Sequence, residues 1–163
     1  MKSKQLARGA IIAALYVSLT YLQNFILPGS TSWAIQFRVS EALCVLSFFT
    51  PAAIPGLTLG CFLYNVSFAG ALPLDMVMGT AATLLATAGM YYTRNIKLCK
   101  LPILGLLLPA VANAILVGWE LSIYVGGSFL LNAFYVALGE LGVLFTLGIF
   151  LYMVLRRRNV SLG

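Results

Sequence analysis

Long apolar runs follow one another along the whole chain, and very little charge interrupts them. Of 163 residues 61% are hydrophobic and only 9% are charged, against about 25% charged in an ordinary soluble domain. A water-facing surface cannot be assembled from so few polar groups, so the surrounding solvent is lipid. Inside lipid every backbone N–H and C=O must be paired within the protein, which leaves helices or a closed barrel. Barrel strands alternate apolar and polar residues, and a run such as ILGLLLPAVANAILVGW (103–119) does not. The chain is therefore expected to be an all-α integral membrane protein, a single transmembrane domain over 1–163.

Six membrane-spanning helices are predicted, at about 6–27, 39–52, 55–71, 74–93, 102–122 and 128–155. Breakers lie between them: LPGSTSW (27–33), TPAAIPG (50–56), GALPLD (70–75) and YVGGS (124–128). Residues 39–74 must cross twice in 36 positions, about 27 Å of helix per crossing with the turn included, slightly short of a hydrocarbon core of about 30 Å. Local thinning of the bilayer or snorkelling closes that gap; a re-entrant hairpin is the competing reading.

The basic residues set the orientation. Lys2, Lys4 and Arg8 precede the first helix, Arg94, Lys97 and Lys100 lie between the fourth and fifth, and Arg156, Arg157 and Arg158 follow the sixth. With six spans all nine fall on one side, the cytoplasm by the positive-inside rule, with both termini there. The net charge of +6 thus marks topology and does not point to nucleic acid. The N-terminal helix has a basic start but a long apolar run and no clear small-x-small cleavage site, so it reads as retained.

Arg38 stands apart from the other cations, in QFRVSE (36–41) on the outer side. All four acids, Glu41, Asp75, Glu120 and Glu140, fall in the outer half. Glu140 is the deepest, about 18 Å along the sixth helix. An ionisable group there normally faces the bundle interior or a wet cavity. Asn65 sits at a similar depth on the third helix. On the fifth, Asn113 lies seven residues before Glu120 on one face, and Tyr124 continues that stripe. Asn132 precedes Glu140 by eight. Bland readings stand beside these: Glu41 pairing with Arg38 at i, i+3, Asp75 as a helix-start carboxylate, Asn65 and Asn113 as interhelical glue. Three cysteines (44, 61 and 99) fit no metal spacing and read as small apolar fillers. Without histidine there is no His-based catalysis, and no Gly-rich phosphate loop is present; no catalytic residue, metal or cofactor is expected. In the first helix Ala10 and Ala14, with Gly9 and Ala13 beside them, form a face that lets another helix approach closely.

ARGAIIAALYVSLT, IQFRVSEAL, IPGLTLGCFLYN, DMVMGTAATLLA and ALGE, spread over nearly the whole chain, resemble the QueT family among the substrate-binding S components of energy-coupling factor (ECF) transporters. The resemblance implies a six-helix bundle in the bacterial cell membrane and a cavity on the outer side for a queuosine precursor, a 7-deazaguanine. It also implies partners: a coupling transmembrane subunit, docked through the Ala10/Ala14 face, and two ATP-binding subunits that hydrolyse ATP on its behalf. Glu140 or Glu120 would read the purine-like edge, with Asn65 and Asn113 supplying amide contacts. Gln36, Arg38, Glu41 and Asp75 would form the outer rim, Arg38 held by Glu41 or Asp75. Trp33, Trp119 and Tyr124 would offer ring faces, Trp33 helping to close the pocket. Two alternatives remain: an S component for another vitamin, or a small proton-coupled secondary transporter.

Overall fold

The computed structural model describes residues 3–30, 37–68, 70–98 and 100–158. Helix α1 (Ser3–Ile26) ends where Leu27, Pro28 and Gly29 interrupt it. Gly29 takes a φ of +83° there, which an L side chain rarely adopts. A 3₁₀ helix follows over Val39–Phe48, closed off by Thr50 and Pro51. Helix α2 (Ala53–Ser67) carries Pro55 in its first turn, where a missing N–H costs nothing. Asp75 opens α3 (Asp75–Thr93), placing its charge at the positive end of the helix dipole. Helix α4 (Ile103–Tyr124) contains Pro109. Gly126 and Gly127, both at positive φ, turn the chain into α5 (Phe129–Val143). A π-helical turn (Leu144–Gly148) then leads into α6 (Ile149–Arg157) without a break.

The helices wear their apolar side chains outward. Phe25 is 84% exposed and Leu130 75%, and exposed Leu, Ile and Phe recur on every long helix. The four acids, by contrast, are all buried. That inversion suits a lipid solvent and no other, and the chain is an all-helical membrane bundle. Helix α1, helix α4 and the continuous rod Phe129–Arg157 are each long and apolar enough to cross a bilayer.

The short second segment departs from the expected α-helix over 39–52. It winds as a 3₁₀ helix of 10 residues. A 3₁₀ helix rises about 2.0 Å per residue, so this one reaches roughly 20 Å, where ten α-helical residues reach about 15 Å. The tighter winding lengthens a segment that is short for its task. It also eclipses side chains three apart, which puts Glu41, Cys44 and Ser47 in one row, all three buried.

The first and second long helices meet through small residues. A Cβ on Gly56 would lie 2.6 Å from the Gly9 carbonyl oxygen, and one on Gly60 would lie 2.8 Å from Tyr16 Cβ and 3.0 Å from the Ala13 carbonyl oxygen. Gly9 and Ala13 are thus committed to α2, while Ala10 and Ala14 are exposed. Gly56→Val is expected to destabilise the bundle by about 1–3 kcal/mol, the usual cost of overpacking. Detergent-solubilised protein titrated with denaturant would read this as a lowered midpoint.

One end of the bundle gathers the cations. Arg156 Nη1 donates to the Lys100 carbonyl at 2.7 Å, and Tyr152 lies edge-on to Phe48, with ring centroids 5.8 Å apart. These contacts join the end of α6 to the α3–α4 loop and to the end of the 3₁₀ helix. Arg38 and Asp75 sit at the start of the 3₁₀ helix and of α3, at the opposite end of both elements.

Candidate functional site

Among the described residues Arg38 is the only buried Lys or Arg. Its Nη2 donates to Asp75 Oδ2 at 2.9 Å, so Asp75 holds it. The i, i+3 pairing with Glu41 is not made. Glu41 turns inward instead: Tyr16 OH donates to its Oε1 at 2.6 Å and Cys44 Sγ to its Oε2 at 3.1 Å. Arg38 is the extended residue before the 3₁₀ helix (φ −105°, ψ 103°), whereas Cys44 stands directly over Glu41 one turn on.

Asp75 is pinned from two sides. Asn65 Nδ2 donates to the Asp75 carbonyl at 2.9 Å, tying α2 to α3. A Cβ on Gly79 would lie 2.8 Å from Asp75 Oδ1 and 3.0 Å from Asn65 Nδ2; only glycine leaves the aspartate and the amide that room.

A second polar pair lies between α4 and α5. Asn113 Nδ2 donates to Glu140 Oε1 at 2.9 Å. Glu120 is 1% exposed and Glu140 4%. Glu120 interacts electrostatically with Asp75 and Arg38, and Glu140 with Glu41 and Arg38. Of the four acids only Asp75 is in direct contact with the guanidinium.

Several of these buried atoms have no hydrogen-bond partner: both oxygens of Glu120, Glu140 Oε2, Asp75 Oδ1, Asn65 Oδ1 and Arg38 Nε. An unpaired buried polar atom costs about 1–3 kcal/mol, more when charged. Five of the six are acceptors and one, Arg38 Nε, is a donor.

The expected residues thus divide. Arg38, Glu41, Asn65, Asp75, Asn113, Glu120 and Glu140 are buried, in two linked groups. The α4 stripe is buried from Asn113 to Leu121 and stops there; Tyr124 and Trp119 are exposed on the helix exterior. Trp33 and Gln36 fall outside the described residues, as does Cys99. Asn132 closes the turn before its own helix by donating to the Gly126 carbonyl at 3.0 Å.

Four further residues were not singled out from the sequence. Tyr16 holds Glu41. Thr20 Oγ1 donates to Ser40 Oγ at 2.8 Å. Gln23 receives the Val39 N–H at 2.7 Å and donates to the Phe37 carbonyl, fixing the backbone on both sides of Arg38. Asn24 Nδ2 donates to Tyr64 OH at 2.6 Å. Tyr16, Thr20, Gln23 and Asn24 are spaced four, three and one apart, a polar stripe on an otherwise apolar helix, and that spacing is visible in the sequence.

Residues 6–157 match the profile of the QueT transporter family. The chain belongs to this family. A QueT relative, the queuosine precursor transporter QueT of Lactococcus lactis subsp. cremoris (strain MG1363), is 41% identical over 76 residues. That stretch is 46% of this chain and 42% of the relative, so the match spans less than half of either. No solved structure matches the chain. Family membership and the long apolar helices together make this a membrane protein of a transporter family.

Proposed function

We propose that this chain is the membrane-embedded substrate-binding subunit of an ECF-type importer, and that its cargo is a queuosine precursor of the 7-deazaguanine class. The observation that carries the reading is the set of unpartnered carboxylate oxygens on Glu120 and Glu140 in a QueT-family chain. A 7-deazaguanine presents an amide N–H and an exocyclic amine side by side. One carboxylate accepts both in the bidentate geometry that also serves base recognition. Arg38, held by Asp75, is placed to donate its remaining N–H groups to a ring carbonyl. A second carboxylate would neutralise the cation of a cargo that carries an aminomethyl group.

In this reading the chain lies in the bacterial cell membrane with its basic end and both termini in the cytoplasm. It captures cargo from outside and performs no catalysis. A coupling membrane subunit and two ATP-binding subunits supply the energy, and Ala10 and Ala14, exposed on α1, are the docking face.

Calorimetry on the purified chain tests the cargo. The panel holds the 7-deazaguanine nitrile, its aminomethyl analogue, queuine, guanine and riboflavin. A deazaguanine should bind tightly without any partner present; riboflavin as the sole ligand would remove the cargo assignment. Ala14→Trp should leave that binding unchanged and abolish uptake by cells holding the complete transporter. Normal uptake by that variant would remove the docking face.

A second reading, a small proton-coupled transporter, is favoured by Glu120, a buried carboxylate with neither oxygen paired. Vesicles holding this chain alone would then accumulate cargo in step with an imposed proton gradient. The S-component reading expects no accumulation there.

A further inference from the structure

The basic end carries more than a topology signal. The Phe48–Tyr152 contact described above is the floor of a hollow of about 230 Å³ between the end of the 3₁₀ helix, the α3–α4 loop and α6. Arg94, Lys97 and Arg156 line it, with Asn95 between the first two and the rings of Phe49 and Tyr152. Two of its cations are held in place. Arg94 Nη1 donates to the Tyr91 carbonyl at 2.6 Å and its guanidinium lies 3.9 Å from the Tyr91 ring centroid. Arg156 is held by the Lys100 carbonyl. Neither is neutralised by an acid, because all four acids of the chain are buried in the groups described above. Cations spread merely to fix orientation would need no shared hollow and no anchors.

We propose that this hollow binds the phosphate of an anionic phospholipid headgroup from the leaflet at the basic end. Guanidinium forks match phosphate oxygens bidentately. Lys97, exposed at the rim, adds a third charge, and Asn95 offers an amide donor. The rings of Phe48, Phe49 and Tyr152 beside the cations offer apolar contact that a lipid uses and a free anion does not. Basic pockets between membrane helices take anionic headgroups in this way.

The test is native mass spectrometry of the full chain released from nanodiscs of phosphatidylglycerol and phosphatidylcholine in equal amounts. Phosphatidylglycerol should be retained in preference to phosphatidylcholine. Lys97→Gln, an exposed change that leaves the fold untouched, should weaken retention by about fivefold, the effect of one cation near an anionic surface. Arg94→Gln with Arg156→Gln should abolish it. Arg157→Gln with Arg158→Gln removes the same charge outside the hollow and should leave retention unchanged. Equal losses from the two double variants would reduce the effect to net charge and overturn the proposal. Displacement of the lipid by millimolar inorganic phosphate would overturn the lipid assignment in favour of a soluble anion. Equal retention of both lipids would overturn the site altogether.

Discussion

If the cargo is a 7-deazaguanine read by Glu140, Glu140→Gln is expected to abolish most of its binding and to leave the bundle folded. Glu140 accepts one hydrogen bond, from Asn113, through Oε1, and a glutamine carbonyl can accept the same bond. The second oxygen has no partner in the protein. In the glutamine variant that position becomes an NH₂, a donor facing the donors of the cargo. Losing one charge-assisted hydrogen bond costs about 1.5–3 kcal/mol, which is roughly 10-fold to 150-fold in Kd, before any donor–donor conflict is counted. Titration calorimetry reads the change directly, and an unchanged denaturation midpoint separates it from misfolding. Affinity within twofold of the parent would take the edge-reading role from Glu140. The same experiment on Glu120→Gln would then decide whether the neighbouring acid holds it.

The second large effect is on stability. Arg38→Ala should destabilise the protein by about 3–5 kcal/mol, the usual result of removing one partner of a buried ion pair. Asp75 would be left charged and buried, at 2.9 Å from nothing that answers it. Its other oxygen already lacks a hydrogen bond. Glu120 and Glu140 would lose the one cation they both interact with. Replacing both members, as Arg38→Met with Asp75→Leu, should recover much of the loss, because a buried pair exchanged for apolar residues is often neutral. Denaturant titration of the two single variants and the double variant in detergent gives the coupling. A double variant no better than Arg38→Ala would mean that Arg38 acts chiefly on the glutamates and not on Asp75.

Helix positions were legible from the sequence because apolar length alone selects them in lipid. The expected 74–93 and 102–122 compare with Asp75–Thr93 and Ile103–Tyr124. What hydropathy does not encode is winding. Nothing in VSEALCVLSF distinguishes a 3₁₀ helix from an α-helix, and the π turn at Leu144–Gly148 is equally silent. The choice depends on how far the segment must reach and on what it packs against. The acids were legible as inward-facing because burying a charge in a bundle needs a reason. Their partners were not. Arg38 had two carboxylates within reach in the sequence; it pairs with Asp75, while Glu41 is taken up by Tyr16 and Cys44. Trp119 and Tyr124 show the limit of a stripe argument. Asn113 and Glu120 share a face, but Trp119 is one position off it and Tyr124 lies where the helix runs out.

The glycine seam between α1 and α2 makes the two helices mechanically one piece. At Gly9 and Gly56 the contact is backbone against backbone, with no side chain between them to rotate or yield. Ala10 and Ala14, on the exposed side of α1, are thereby joined to α2 through the main chain. Helix α2 carries Asn65, whose amide grips the Asp75 carbonyl at the first residue of α3, and Asp75 grips Arg38. A chain of direct contacts thus leads from α1 to the Arg38–Asp75 pair: main chain on main chain into α2, Asn65 on the Asp75 carbonyl, and Asp75 on Arg38.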